Sequence, residues 1–192
     1  MSYVSTEEAG ERLRKGEVGL VPTETVVGLL AGEAGVSRLS EIKGRDPNKP
    51  IALLCGSAEE AFALAREARP LARLLAERLW PGPLTLVLDA EHGTVGVRVP
   101  AHPAVLAVLA RFGGPLYATS ANLAGEPAPH VLEDVHSTVL TAVNFAVWGE
   151  PGSGEASAVV DLSGGKVRLL RRTKRLSDAE LYRLATLVQT DG

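Results

Sequence analysis

The stretch Leu84-Thr-Leu-Val-Leu-Asp-Ala-Glu-His-Gly-Thr-Val-Gly-Val-Arg-Val99 contains two short apolar segments separated by a polar turn. Both segments, Leu84 to Leu88 and Val95 to Val99, have the length and the β-branched or apolar composition of strands. The few residues between them allow an antiparallel hairpin, whereas a parallel pair needs a crossover of about a dozen residues or more. The stretch therefore predicts a mixed sheet rather than a purely parallel one.

Further helices and strands are predicted on both sides of this hairpin. The capping pattern S-x-x-E predicts helices that start at Ser5, Ser57 and Ser177, the last two running to about residues 68 and 188. A proline in the first turn indicates helices from Pro70 to about Trp80 and from Pro103 to Arg111. Apolar segments bounded by glycine or proline predict strands at Val18–Val21, Ile51–Leu54, Pro115–Thr119, Phe145–Trp148, Ala158–Leu162 and Val167–Leu170.

This alternation of helices and strands is typical of an α/β fold, and we expect a single twisted mixed β-sheet with flanking helices. The 192 residues contain no internal repeat and no long polar linker, so we expect one domain over residues 1–192. The loosest stretch, Glu150-Pro-Gly-Ser-Gly-Glu155, is too short to separate domains. Glu155 stands where a phosphate-binding loop carries lysine, which favours a glycine-rich turn.

The composition is that of a globular chain without a membrane span. Hydrophobic residues make up 45% of the chain and charged residues 22%, which suffices for a buried core and excludes a disordered chain. The apolar runs are far shorter than the roughly 18 residues of a membrane helix, and the N-terminus has no signal-peptide pattern. We therefore expect no membrane contact and a cytoplasmic protein.

The cysteine and histidine residues do not indicate a metal site. Cys55, the single cysteine, lies in an apolar run, which favours a buried inert thiol over a catalytic one. The four histidines are scattered without the spacing of zinc ligands. We expect no metal site built from these side chains.

Polar side chains lie in loops that follow predicted strands, where ligand sites of α/β sheets usually lie. The loop Val21-Pro-Thr-Glu-Thr25 offers two hydroxyls and a carboxylate, which suit either a small polar ligand or a plain turn with capping threonines. Gly44 separates Lys43 from Arg45 in the next loop. These two cations either converge on one phosphate chain or form a solvated basic turn.

Three further segments combine small residues or cations with predicted strands. Ala118-Thr-Ser-Ala-Asn-Leu-Ala-Gly125 surrounds a serine and an asparagine with small residues, which permits close approach of a ligand to the backbone. Arg98 is a cation inside a predicted strand, where it is either a ligand contact or an edge residue. The segment from Lys166 to Arg175 carries six basic residues and no acidic one, which fits contact with a polyanion or a solvated strand edge.

Seven short segments of the chain occur in one specific order. They are Pro22–Leu29, Lys43–Arg45, Trp80–Thr85, Arg98–Pro100, Ser120–Gly125, Ser157–Asp161 and Leu170–Arg171. This order resembles the YrdC-like family of threonylcarbamoyl-AMP synthases, whose pattern reads P-T-[DE]-T-x-Y-G-L, K-x-R, W-P-G-P-x-T, R-x-P, S-A-N-x-S-G, S-T-x-V-D and L-R-x-G. The resemblance covers about residues 15–175 and implies a YrdC-like fold.

The resemblance also implies an activity. Such an enzyme forms L-threonylcarbamoyladenylate and pyrophosphate from L-threonine, bicarbonate and ATP with Mg²⁺, and a downstream tRNA threonylcarbamoyl transferase uses the product to modify adenosine in tRNA. Lys43 and Arg45 would be catalytic. By motif position, the nucleotide would be bound by Lys43, Arg45, Thr94, Ser120, Asn122 and Arg171, and L-threonine would be bound by Thr23, Arg98, Ala118 and Ser157.

The chain departs from the family pattern at several positions where a polar side chain or a glycine is usual. Each departure removes a polar contact or alters a turn, and a lost hydrogen bond to a ligand costs about 1 kcal/mol. A paralogue that binds nucleotide or double-stranded RNA with weak or no synthase activity is therefore the alternative, although the net charge of −3 disfavours broad RNA affinity. The departures are Val27, Leu54, Ala124, Ala128, Ala158 and Thr173.

Overall fold

A polar turn at residues 90–93 joins two antiparallel strands, and the sheet extends from this hairpin in both directions. The computed structural model describes residues 1–190. Its strands are β1 (Ser2–Val4), β2 (Val18–Pro22), β3 (Val27–Ala31), β4 (Ala52–Leu54), β5 (Leu84–Asp89), β6 (Thr94–Arg98), β7 (Leu116–Ser120), β8 (Phe145–Val147), β9 (Ala158–Asp161) and β10 (Arg168–Arg171). Its α-helices are α1 (Thr6–Arg14), α2 (Val36–Lys43), α3 (Ala58–Ala63), α4 (Pro70–Leu79), α5 (Pro103–Phe112), α6 (Ser137–Ala142) and α7 (Asp178–Thr190).

The strands of residues 1–190 form one mixed sheet in the order β1-β8-β2-β3-β7-β4-β6-β5-β9-β10. The predicted hairpin is the β5–β6 pair, in which Leu86 lies opposite Val97 in antiparallel register. Strand β4 pairs in parallel with β6, and β5 pairs in parallel with β9. The predicted α/β class and the mixed sheet are therefore confirmed.

Helices cover one face of the sheet beside the hairpin and both faces of the other half. Beside the hairpin, Leu75 of α4 and Leu184 of α7 pack on Leu86. Around β2 and β8, helices α1 and α5 lie on one face, where Leu13 contributes to the core, and α2 and α6 lie on the other, where Leu39 does. The second face of β5, β6 and β9 lines a cavity instead.

The predicted helix starts are confirmed by hydrogen bonds at the helix caps. The hydroxyl of Ser5 accepts from the backbone N–H of Glu8 at 3.2 Å, and the hydroxyl of Ser57 accepts from that of Glu60 at 3.1 Å. Ser177 makes the same contact at the start of α7, and α4 and α5 begin at the predicted prolines. Serine is favoured at this position because it satisfies a backbone donor that the helix leaves unpaired.

The structure differs from the prediction in several elements. Helix α3 ends at Ala63 instead of continuing to about residue 68, because the N–H of Arg66 donates to the Asp89 carbonyl at 2.8 Å and a second helix begins shortly afterwards. Lys43 lies at the end of α2 and not in a loop, and Gly44 ends that helix with φ +59°. The unpredicted elements are β1, β3, α2 and α6.

Candidate functional site

The sheet face that the helices leave open beside the hairpin forms the floor of a cavity of 610 Å³. Because side chains alternate along a strand, Val95 and Val97 of β6 point to the core, whereas Gly96 and Arg98 line the cavity. The same alternation in β5 turns Thr85 toward the cavity. The segments that form the cavity walls lie within residues 23–28, 45–51 and 118–128.

The threonines that follow β2 form a rigid part of the wall. Thr23 and Thr25 join their hydroxyl oxygens in a hydrogen bond of 2.8 Å, and both are buried. The N–H of Gly154 donates to the Thr25 carbonyl at 2.7 Å. A Cβ at Gly152 would lie 2.3 Å from the carbonyl oxygen of Thr23, so only glycine permits this close approach. The predicted glycine-rich turn therefore supports the cavity wall.

Lys43 lies behind the cavity and holds the loop that follows β7. Its Nζ donates to the carbonyl oxygens of Ser120 at 2.5 Å and Asn122 at 2.6 Å, and to Oδ1 of Asn122 at 3.1 Å. Burial, followed by repulsion from Arg45, lowers the pKa of Lys43 from 10.5 to about 8. Since an ammonium group has three hydrogens, these three oxygens use all of them. Lys43 thus fixes the positions of Ser120 and Asn122.

Arg45 extends from the end of α2 to the cavity wall. Its Nη2 donates to the carbonyl oxygens of Lys49 at 2.7 Å and Pro50 at 3.0 Å. Its Nε is buried and has no hydrogen-bond partner. Arg45 lines the cavity, so the guanidinium is held by the backbone on one side and retains donors for a ligand.

Arg98 lies at the floor of the cavity with only 7% of its surface exposed. Its Nη2 donates to Oε1 of Glu24 at 2.5 Å and to the hydroxyl of Thr25 at 3.1 Å, and its Nε donates to the Gly82 carbonyl at 3.3 Å. Strand β6 lies between β4 and β5. Arg98 is therefore a cavity residue and not an edge residue.

Arg171 and two hydroxyl groups form the opposite side of the floor. Nε of Arg171 donates to the Ser157 carbonyl at 2.6 Å, and its Nη2 donates to the Ser157 hydroxyl at 3.3 Å. The hydroxyls of Ser157 and Thr85 form a hydrogen bond of 2.9 Å. Burial, followed by repulsion from Arg98, lowers the pKa of Arg171. The two guanidinium groups therefore act on the same small volume, which attracts anions.

The structure gathers the residues predicted for the site around this one cavity. Lys43 is the exception, since it lies behind the wall and acts on it through the loop at residues 120–122. The carboxylate predicted in the loop after β2 is that of Glu24, which contacts Arg98, whereas Thr85, which contacts Ser157, was not predicted as a site residue although it lies in a segment that matches the family pattern. The predicted residues that line the cavity are Thr23, Arg45, Thr94, Arg98, Ala118, Ser120, Asn122, Ser157 and Arg171.

The six departures from the family pattern lie in different parts of the structure. Val27 and Ala158 are buried in the core, so these positions do not remove a cavity contact. Leu54 and Ala128 line the cavity and make it less polar there. The N–H of Ala124 donates to the Lys43 carbonyl, and Thr173 forms a bridge with Leu176. Two of the six departures therefore alter the cavity surface directly.

The basic segment from Lys166 to Arg175 lies at the β10 edge of the sheet. Three of its cations have partners within the chain. Arg168 pairs with Asp161 at 2.9 Å, Arg171 contacts Ser157, and Arg172 pairs with Asp178. These contacts compensate part of the positive charge of the segment.

Three observations concern the chain outside the cavity. Cys55 is fully buried, as predicted, and burial raises the pKa of its thiol to about 12, which disfavours the reactive thiolate. Within residues 1–190, no group of three or more His, Cys, Asp or Glu side chains is arranged to hold a metal ion. No helix in that part of the chain has both the length and the apolar character needed to cross a bilayer.

Comparison with known proteins gives a family match over most of the chain. The family model Sua5/YciO/YrdC, described as "Telomere recombination", matches residues 11–173. The threonylcarbamoyl-AMP synthase of Pyrococcus abyssi is 38% identical over 176 residues, which are 83% of this chain and 51% of that protein. The threonylcarbamoyl-AMP synthase of Chromohalobacter salexigens is 34% identical over 178 residues, 86% of this chain and 95% of that protein.

A solved structure of a P. abyssi protein also resembles this chain. The crystal structure of P. abyssi Sua5 complexed with L-threonine superposes with a TM-score of 0.82 at 33% identity, over 88% of this chain and 56% of that one. This chain thus spans about half the length of the P. abyssi protein and nearly the full length of the C. salexigens protein. The resemblance of the seven segments is confirmed, and the chain belongs to the Sua5/YciO/YrdC family.

Proposed function

We propose that this chain is a threonylcarbamoyl-AMP synthase, which makes L-threonylcarbamoyladenylate and pyrophosphate from L-threonine, bicarbonate and ATP. The observation that carries the proposal is that three guanidinium groups, those of Arg45, Arg98 and Arg171, border one cavity of 610 Å³. A reaction between ATP and an amino acid spreads negative charge over phosphates and a carboxylate, and fixed cations stabilise that charge. The names of relatives at 34–38% identity support the same activity.

L-threonine would bind on the floor of the cavity. Arg98 would bind its carboxylate, because a guanidinium is a charged donor for carboxylate oxygens. The Ser157 hydroxyl accepts from Arg171, and the Thr23 hydroxyl is hydrogen-bonded to that of Thr25, which accepts from Arg98. Thr23 and Ser157 are both buried and would contact the polar groups of threonine. Ala118 lines the cavity without a bulky side chain, which leaves room for the ligand.

ATP would bind along the walls. Arg45 and Arg171 would contact its phosphates, and Thr94, Ser120 and Asn122 would supply smaller polar contacts. The hydroxyl of Ser120 donates to Oδ1 of Asn122 at 2.5 Å, and the same Oδ1 accepts from Lys43. Lys43 would therefore contribute by holding the loop in place, since a misplacement of about 1 Å is enough to impair catalysis.

The reaction would proceed in two steps. The neutral amine of threonine attacks the carbon of bicarbonate, and water leaves to give a carbamate. A carbamate oxygen then attacks the α-phosphorus of ATP, the bond from that phosphorus to the bridging oxygen breaks, and pyrophosphate leaves with the electron pair. Arg45 and Arg171 would stabilise the charge on the phosphate oxygens. No nucleophilic side chain is required, in agreement with the buried thiol of Cys55.

Magnesium would enter with ATP. Mg²⁺ prefers oxygen ligands, keeps several waters and is usually held through substrate phosphates and one or two carboxylates. The cavity offers hydroxyl groups and, at its rim, the carboxylate of Glu126. These oxygen atoms are of the kind that Mg²⁺ accepts when it is bound mainly through the phosphates of ATP.

The product would pass to a tRNA threonylcarbamoyl transferase, which modifies adenosine in tRNA. The protein would act in the cytoplasm as one domain over residues 1–192. The alternative, a paralogue that binds nucleotide or double-stranded RNA, is less well supported because the relatives are named as synthases.

The proposal is tested by incubating the purified protein with ATP, Mg²⁺, L-threonine and bicarbonate. We expect pyrophosphate release that depends on threonine, together with the mass of threonylcarbamoyl-AMP. Omission of bicarbonate and replacement of threonine by alanine are the controls. ATP binding without the adenylate would contradict the proposal and favour the paralogue, and reversion of Leu54 and Ala128 to polar residues would then be the next experiment.

A further inference from the structure

Glu24 is, among the described residues, the only carboxylate that forms an ion pair with a guanidinium of the cavity. Its Oε1 accepts from Nη2 of Arg98 at 2.5 Å, and the two side chains are 19% and 9% exposed. The other oxygen, Oε2, is buried and has no hydrogen-bond partner. A buried carboxylate oxygen without a hydrogen-bond partner is costly, so this pair is not explained by stability.

The backbone of Glu24 is fixed on both sides of the residue. Its carbonyl accepts from the N–H of Ser153 at 2.9 Å, and the next carbonyl, that of Thr25, accepts from Gly154. Arg98 extends from an interior strand of the sheet. The ion pair therefore joins two rigid segments, and the position of one side chain determines that of the other.

The hydrogen bonds of Arg98 leave one of its nitrogens for a ligand. Both hydrogens of Nη2 are used by Glu24 and Thr25, and the Nε hydrogen is used by the Gly82 carbonyl. Within residues 1–190, Nη1 donates to no protein atom, and Arg98 lines the cavity. A guanidinium fixed through Nη2 and Nε has its last two donors in a set direction, because the group is planar.

We infer that Glu24 is a positioning residue for amino-acid binding: it holds Nη2 of Arg98 so that Nη1 is the donor for the substrate carboxylate. This inference rests on the proposed function, since it takes L-threonine as the ligand of Arg98. Glu24 also neutralises one cation of the cavity, which limits the number of anionic groups that bind at the floor. It touches Arg98 and not the reacting atoms.

The kinetic test compares Glu24→Ala and Glu24→Gln with the wild type. We expect the KM for threonine to rise about tenfold in Glu24→Ala, which loses the ion pair. Glu24→Gln should show a smaller rise of about threefold, because the amide oxygen still accepts from Nη2. The kcat and the KM for ATP should stay within about twofold in both variants, since Arg45 and Arg171 are unchanged.

The matched control is Glu17→Ala, which removes a partly buried ion pair with Arg12 at 2.7 Å on another part of the fold. It should leave both KM values unchanged. An equal or lower KM for threonine in Glu24→Ala would overturn the inference, because Glu24 would then compete with the substrate for Arg98. A loss confined to kcat and thermal stability would also overturn it, since a purely structural role predicts that result.

Nitrogen-15 spectra of arginine side chains test the inference without turnover. In the wild type, Arg98 should give resolved Nη–H signals because its guanidinium rotates slowly, and Arg98→Lys identifies them. In Glu24→Ala these signals should broaden or merge. Unchanged Arg98 signals would refute the positioning role. If the wild type forms no adenylate, the proposed function fails, but the spectra still decide whether Glu24 positions Arg98.

Discussion

The ammonium nitrogen of Lys43 lies 2.6 Å from the backbone carbonyl oxygen of Asn122, although 79 residues separate them in the chain. Two more oxygens, from Ser120 and from the Asn122 side chain, complete the coordination of the ammonium. Lys43 does not line the cavity. Here the charge of Lys43 orders the loop that carries the ligand contacts.

Lys43→Met should disorder that loop while keeping the length of the side chain. We expect kcat/KM for ATP to fall about 100-fold and the free energy of unfolding to fall by about 3 kcal/mol, because three partly buried oxygens lose their donor. Steady-state kinetics and urea unfolding measure the two effects. Lys15→Met, at an exposed lysine, is the control. Wild-type kinetics in Lys43→Met would show that the ammonium does not order the loop.

The activity of the wild type and the contribution of Lys43 to its stability should change in opposite directions with pH. Lys43 has a pKa of about 8 in the folded protein against 10.5 ordinarily. Between these values the unfolded chain binds a proton that the folded chain has released, so this group makes the folded state more stable as pH rises, by about 1 to 3 kcal/mol. The neutral amine has one donor fewer, so kcat/KM for ATP should fall above pH 8.

The difference in unfolding free energy between the wild type and Lys43→Met isolates this contribution. Cys55 acts in the opposite sense above pH 9, because its pKa rises from 9.0 to about 12 on folding. It is present in both proteins and cancels in the difference. Urea unfolding at pH 7, 9 and 10 supplies the measurement. A difference that does not vary with pH would contradict the lowered pKa of Lys43.

Arg45→Ala should separate the two substrates. Because Arg45 lies on a wall and not at the floor, we expect the affinity for ATP to fall about 30-fold and that for threonine to change by less than about threefold. Calorimetric titration of each ligand alone measures both. The control is Arg69→Ala, which removes an exposed ion pair with Asp89 whose nitrogen and oxygen atoms are 3.8 Å apart. Equal losses for both ligands would refute this assignment.

His102→Ala should lower stability through the cap of α5. Nδ1 of His102 accepts from the N–H of Ala104 at 3.1 Å, so Nε2 carries the proton that it donates to the Glu150 carbonyl at 2.9 Å. Loss of the cap should cost about 1 kcal/mol, and His102→Asn should restore part of it because asparagine also caps helices. Thermal unfolding compares the three proteins. Equal midpoints for alanine and asparagine would exclude a capping role.

Local patterns explain which parts of the fold could be predicted. The hairpin and the serine-capped helix starts depend on neighbouring residues, and the structure confirms them. Strand β3 was missed, although all five of its residues are buried like those of the predicted strand β2. Helix α2 was missed as well, so Lys43 was placed in a loop.

The site residues could be named from the family pattern, but their roles could not. The pairing of Glu24 with Arg98 joins residues 74 positions apart, and no local pattern predicts it. The same holds for Lys43, whose acceptors lie on a distant loop. The pattern also gave no sign that Val27 and Ala158 belong to the core, because a sequence motif does not state which face a side chain occupies.

A single inserted residue in β6 would exchange the two faces of that strand. Arg98 would enter the apolar core, and Val97 would take the place of Arg98 at the floor of the cavity. Changes in length are thus tolerable in the turn at residues 90–93, where Gly93 adopts φ +82°, but not in the strand. A shift in the register of these strands would therefore abolish folding and activity together, since the shifted chain has neither a core nor a site.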